Sequence, residues 1–226
     1  MQQLLTFLAP QALSTNANLV VIGLLILSLG AHEAAHGWVA LKCGDTTARD
    51  LGRITLNPIP HIDPFMTVLL PTLLFLTSGF LFGGAKPVPV VFHNLRKPYR
   101  DMALVAIAGP FSNFLIAVLF VALWRVMDAA GVSHEKAIYG IFEGAARWNL
   151  ILAAFNLLPI PPLDGSRVLA WVLPSSLREP YVALERYGML LVLGFVFLGG
   201  LVGPVMKAAA AMEDAVLWIV TLGGLW

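Results

Sequence analysis

The sequence has a single cysteine, Cys43, in 226 residues. That excludes an internal disulfide framework and any zinc site built from several thiolates. Charge is scarce as well: 14 Lys and Arg stand against 13 Asp and Glu, a formal net charge of +1, and charged residues make up only 12%. A near-neutral chain with no basic stripe offers no surface for nucleic acid. No polar tract is long enough to fold as a second domain in water, and no internal repeat is visible. The first ten residues lack the positive charge and apolar core of a signal peptide. Residues 1–16 read instead as a short interfacial segment.

What the chain has in abundance is apolar surface: 58% of its residues are hydrophobic, and the mean hydropathy is +0.82. That composition lies far outside soluble domains and predicts an all-α polytopic membrane protein. A first long helix opens at Asn16 or Asn18 and runs to about Lys42, with Gly44-Asp45 ending it. A second apolar run, Phe65 to Phe82, is interrupted by Pro71 and Gly79. Further helices follow at about Met102–Met127, Ala137–Leu157, Tyr181–Leu201 and Val205–Leu222. The expectation is one domain of five to six transmembrane or membrane-embedded helices, with a core over 17–205 and a C-terminal helix over 205–226. Between the first and third long helices, Arg53-Ile54-Thr55-Leu56 alternates like a strand. Lys86-Pro87-Val88-Pro89-Val90-Val91 reads as extended, because its prolines forbid helix but permit an edge. A short β-hairpin or edge-strand region is expected there. In the fourth helix, Gly140 and Gly144 allow close helix approach, and Glu143 and Arg147 are spaced to pair.

The chemistry concentrates in Gly30-Ala31-His32-Glu33-Ala34-Ala35-His36-Gly37, inside the first helix. Histidines four apart project from one helical face, so both rings reach a common Zn²⁺. Glu33 stands beside the first of them, placed for general base work rather than ligation. Two histidines and a glutamate at membrane depth are costly and mark function. A catalytic zinc takes three protein ligands, and the candidates for the third are Asp45, Asp50, His61, Asp63, His93, Asp101, His134 and Asp164. Asp45 and Asp50 lie in a polar connector where solvated carboxylates are the default. His61 and Asp63 sit between Pro60 and Pro64, in a turn entering the next apolar run. His93 and His134 lie in polar stretches. Asp164 follows a run of prolines that unwinds the backbone, which at membrane depth is tolerated only beside a cavity or inside protein. It is the favoured ligand, and it could at the same time cap a helix from Ser166 to Leu173, one carboxylate oxygen serving each role.

These motifs together resemble the site-2 protease family of intramembrane zinc metalloproteases, peptidase family M50. The resemblance rests on His32-Glu33-Ala34-Ala35-His36 and on Asn156-Leu157-Leu158-Pro159-Ile160-Pro161-Pro162-Leu163-Asp164-Gly165. Gly109-Pro110-Phe111-Ser112-Asn113 is also similar, as are Gly52-Arg53-Ile54-Thr55-Leu56-Asn57-Pro58 and Ala85-Lys86-Pro87-Val88-Pro89 of the compact bacterial branch. It extends over about residues 17–205 and implies a compact member without a PDZ or CBS domain. It further implies one zinc ion per chain held by His32, His36 and Asp164, with Glu33 as catalytic acid and base. The implied partner is a transmembrane protein substrate, cleaved in or beside its membrane helix. Asn113 and Asn156 are implied to line the active site, and the extended segment with Lys86 and Val88 is expected to receive substrate by strand addition.

For the ligands to meet, the first and fourth helices must run the same way with the third antiparallel between them, and Phe65–Phe82 must enter and leave by one face. Lys42, Arg49, Arg53, Lys86, Arg96, Lys97, Arg100, Arg167 and Arg178 then share one side, cytoplasmic by the positive-inside rule, in a bacterial or archaeal cell membrane. Two other readings stand beside the protease. A membrane metal transporter would leave Glu33 without a task. A catalytically silent scaffold would be expected to have lost a ligand or Glu33.

Overall fold

The computed structural model describes residues 14–78, 83–133, 137–198 and 200–221. Most of the expected interfacial segment, and His134, lie outside them. Helix α1 spans Thr15–Cys43, starting where the Ser14 side chain accepts the Ala17 N–H and ending at Gly44, whose φ of 114° is left-handed. At 1.5 Å per residue it rises roughly 40 Å, more than the ~30 Å hydrocarbon core of a bilayer. Helix α4, Pro98–Ala129, is longer still. It opens with proline at the first position, where a missing N–H breaks no helical bond, and the Asp101 carboxylate takes the Lys97 N–H at 2.8 Å. Both α1 and α4 are long and apolar enough to cross a membrane.

Side-chain contacts fix the directions of the central helices. A Cβ on Gly144 of α5 (Ala137–Asn156) would meet Val21, and one turn on Asn149 reaches Ser28, so α5 runs parallel to α1. His36 meets Val105 while His32 meets Asn113, so α4 runs antiparallel to α1. These directions are the ones the metal constraint demanded. Small residues let the helices close: Ala117 of α4, Ala145 and Ala154 of α5, and Val205 and Ala209 of α9 (Val202–Val220) are buried in one apolar core.

The connector after α1 is a series of short turns. These are α2 (Thr47–Asp50), a 3₁₀ turn at Ile59–His61, and a π-helical turn at Pro64–Leu69 that runs into α3 (Leu70–Ser78). Asp63 caps the π turn by accepting the Phe65 and Met66 N–H groups. The Gly84 N–H donates to the Met66 carbonyl at 3.0 Å and Thr67 Oγ1 to the Gly84 carbonyl at 2.7 Å, so the two ends of this apolar run lie side by side. Residues 79–82, between them, are outside the described residues.

The expected β-hairpin is not formed: among the described residues there is no strand. The 85–91 segment is extended, but no described strand lies against it, and Pro87 and Pro89 remove the donors of one edge. Several of its groups are claimed individually. Lys86 N–H donates to the His61 carbonyl, Val88 N–H to Glu33 Oε2 and Val91 N–H to Asp45 Oδ2, while Arg53 Nη2 donates to the Lys86 and Pro87 carbonyls. The helix expected over Tyr181–Leu201 is not continuous. It is divided into α7 (Ser175–Ala183), a 3₁₀ turn (Leu184–Tyr187) and α8 (Gly188–Phe197). The break brings Glu185 to the guanidinium of Arg167 on α6, Asp164–Val172.

The ends carrying basic residues gather together. The Arg96 N–H donates to the Cys43 carbonyl at 3.1 Å, and the Arg178 guanidinium lies 4.3 Å from the Tyr99 ring. Arg178 also donates to the Ala170 and Leu173 carbonyls at 2.7 Å each, closing the C-terminus of α6.

Candidate active site

His32 and His36 lie one turn apart on α1, buried, with ring centroids 4.6 Å apart. His36 Nδ1 is 2.7 Å from the Val105 carbonyl, which can only accept. The ring proton therefore sits on Nδ1, and Nε2 is left to bind. His32 Nδ1 lies 2.5 Å from Asn113 Oδ1, which sets the same tautomer. Both Nε2 atoms converge on Asp164 Oδ2, at 3.3 Å and 3.4 Å. Donors bound tetrahedrally at about 2.0–2.1 Å from zinc stand roughly 3.3–3.4 Å from one another. The spacing is that of a metal cage.

Two further observations fit the residues to a metal. Asp164 Oδ2 is buried with no hydrogen-bond partner, an arrangement that costs free energy unless a cation satisfies it. Behind the cage, Gly109 leaves room for nothing else, since a Cβ there would collide with Nε2 of both histidines. Asp164 reaches this point because the chain unwinds after α5. It makes no capping hydrogen bond and is itself the first residue of α6. A Cβ at Gly165 would run into the Leu157 carbonyl, so the turn closes only with glycine there.

Glu33 is not among the converging donors, and its Oε2 accepts the Val88 N–H at 2.8 Å. It opens onto a cavity of about 500 Å³ whose lining includes His36, Val88, Asn156, Asp164 and Arg167. Asn156, which lines the cavity, donates Nδ2 to the Leu152 carbonyl one turn back. Lys86 keeps an exposed side chain outside that lining, and only its backbone is engaged. Asn113 is fully buried behind His32 and has no surface on the cavity.

Two other residues carry weight that the sequence did not announce. Asn149 is fully buried, accepts from Asn113 Nδ2 at 2.8 Å, and donates to Ser28 Oγ. It lies two turns before Asn156 on one apolar helix, and a buried amide there was the available signal. Asp45, expected to be solvated, is fully buried, because the connector folds over it. Burial alone would raise its carboxyl, but donors from Thr47, Asn94 and Val91 outweigh that and hold it below the usual carboxylate range. Asp50 and His93 are exposed, and Asp101 and His61 serve local backbone.

Comparison with known proteins bears on this geometry. The Bacillus subtilis (strain 168) protein named "Putative zinc metalloprotease YwhC" is 42% identical over 173 residues, covering 75% of this chain and 76% of its own. The chain belongs to peptidase family M50. The description "Peptidase family M50" matches residues 125–201, which carry Asn156 and Asp164. Two mycobacterial proteins named "Putative zinc metalloprotease Rip2" are also similar. The one from Mycolicibacterium smegmatis is 31% identical over 77% of this chain, and the one from Mycobacterium tuberculosis (strain H37Rv) 29% over 77%. This chain spans 65% of the length of each. No solved structure matches. As an M50 member the chain is a zinc metalloprotease, and its long apolar helices fit a membrane protein.

Proposed function

We propose that this chain is a multi-pass, zinc-dependent intramembrane endopeptidase. It would cleave a peptide bond in or beside the transmembrane helix of a protein substrate, with the basic loops cytoplasmic in a bacterial or archaeal cell membrane. The observation that carries the reading is the convergence of His32, His36 and Asp164 on one buried point, with Glu33 free of it and facing the cavity. His32 Nε2, His36 Nε2 and Asp164 would hold the ion.

Zinc, when bound, supplies an acidified water and polarises the scissile carbonyl. Glu33 would accept one proton from the attacking water as the water oxygen bonds to the carbonyl carbon. It then returns the proton to the amide nitrogen as the C–N bond breaks. Its Oε2 is held by Val88, so Oε1 is the oxygen left for the proton. Asn156, which lines the cavity, orients substrate backbone. Strand addition on the 85–91 segment has specific support: among the described residues nothing takes the carbonyl of Val88 or either backbone group of Val90. A substrate unwound into an extended form would find an acceptor, a donor and an acceptor there in succession.

The transporter reading needs ligands in succession along a path. Among the described residues, His32, His36 and Asp164 are the one cluster of such donors. The test is cleavage of a transmembrane model substrate by purified protein in detergent. Glu33→Gln should lower the rate by about 10²–10⁴-fold while zinc stays bound. A Glu33→Gln protein that cleaves as wild type does would overturn the proposal.

A further inference from the structure

Beyond the ligands and the base, the histidine cage depends on a chain of side chains running away from the cavity through three helices. Its members are Asn113 on α4, Asn149 on α5 and Ser28 on α1, each 3% exposed or less. A carboxamide is nearly symmetric in shape, so Asn113 could present either its oxygen or its NH₂ to His32 at little steric cost. The two choices have opposite consequences. An oxygen draws the His32 proton to Nδ1 and leaves Nε2 bare for a metal. An NH₂ would need a bare Nδ1 and put the proton on Nε2, where the metal must bind.

The structure removes that freedom one bond at a time. The Ala145 carbonyl can only accept, and Asn149 Nδ2 lies 2.8 Å from it. Ser28 spends its hydroxyl proton on the Leu24 carbonyl at 2.9 Å, so its oxygen can only accept from Asn149, at 3.1 Å. Asn149 is therefore turned with its nitrogen toward both and its Oδ1 toward α4. That oxygen can only accept, so Asn113 must offer Nδ2, at 2.8 Å, and must turn Oδ1 to His32. Two main-chain carbonyls, Leu24 and Ala145, thus set the tautomer of a histidine they never touch. His36 needs no such device, because its acceptor is itself a main-chain carbonyl.

We infer that Asn149 is a positioning residue for the metal centre: anchored on the Ala145 carbonyl and Ser28, it fixes Asn113 and through it the Nδ1–H tautomer of His32. The inference rests on reading His32 as a metal ligand. Partners behind metal-bound histidines are worth about 10–100-fold in metal affinity when removed.

The experiment is zinc affinity by chelator competition on detergent-purified, folded protein, with ¹⁵N-histidine spectra of the zinc-loaded wild type. Asn149→Leu should weaken zinc at least tenfold. Ser28→Ala, which leaves the Ala145 anchor in place, should stay within about twofold of wild type. In the wild-type spectra His32 should carry its proton on Nδ1, a readout that stands even if Asn149→Leu fails to fold. Zinc affinity of a folded Asn149→Leu within twofold of wild type would overturn the inference while leaving the ligand set intact, and a His32 proton on Nε2 would overturn the inference and the role of that nitrogen as ligand together. A wild type that takes up no zinc would instead bring down the metal reading on which the inference rests.

Discussion

Behind His32 and His36 the site is held by neutral groups: two amides, a serine and main-chain carbonyls. Across the cavity, the 85–91 segment is held by carboxylates and a guanidinium: Glu33, Asp45 and Arg53. The difference follows from the backbone. In α1, α4 and α5 the main chain satisfies itself, so side chains are free to orient one another at low dielectric, where neutral partners avoid the desolvation cost of charge. In the connector the main chain is irregular, its N–H and C=O groups need partners, and ionised side chains bonding them give the strongest available bonds. One wall of the site is therefore tuned for geometry and the other for attachment.

The first way to break that comparison is on the helical wall. Gly109→Ala would push a methyl group into both imidazole Nε2 positions. Zinc affinity should fall by well over tenfold, with the helical far-UV spectrum retained. Isothermal titration beside circular dichroism reads both. Unchanged zinc binding would mean that α4 does not press on the cage.

A smaller effect, of a different kind, is expected on the connector wall. Asp45 accepts from Thr47, Asn94 and Val91 while fully buried. Asp45→Asn should destabilise by about 1–3 kcal/mol through the donor it introduces and the charge-assisted bonds it loses. Because the Asp45 carboxyl is held low, its stabilisation is complete above the ordinary aspartate range near pH 4 and is lost as pH falls through the lowered value. Wild type should accordingly lose melting temperature on acidification more steeply than Asp45→Asn does. Parallel slopes would show that this carboxylate does not anchor the segment. The smallest effect belongs to Lys86→Ala. The lysine's side chain is exposed while its backbone does the holding, so stability should stay within about 0.5 kcal/mol of wild type. Cleavage should stay within about twofold, and a larger loss would give that ammonium a role in receiving substrate.

Much of the helical wall was legible in the sequence because periodicity and cost speak there. His32 and His36 four apart in an apolar run, and a proline-broken segment ending at Asp164, are expensive arrangements at membrane depth. Their meeting also dictated the parallel and antiparallel senses of α1, α4 and α5. Asn149 was equally expensive but carries no motif spacing to a histidine, and its partner lies on another helix. The connector was misread for a related reason. Alternation at Arg53–Leu56 and 86–91 suggested a ladder, but whether extended backbone pairs with a strand or with side chains depends on what the fold brings opposite. Here the opposite groups are Glu33, Asp45 and Arg53. Burial of Asp45 was invisible too, because a carboxylate in a polar loop looks the same in sequence whether it is solvated or bonding main-chain amides.

The central claim is that His32, His36 and Asp164 form one zinc cage separate from Glu33. Its most direct test is the metal content of purified wild type, Asp164→Ala and Glu33→Gln by elemental analysis. The account predicts about one zinc per chain in wild type and Glu33→Gln, and little in Asp164→Ala. Equal zinc in Asp164→Ala and wild type, or loss of zinc in Glu33→Gln alone, would contradict it.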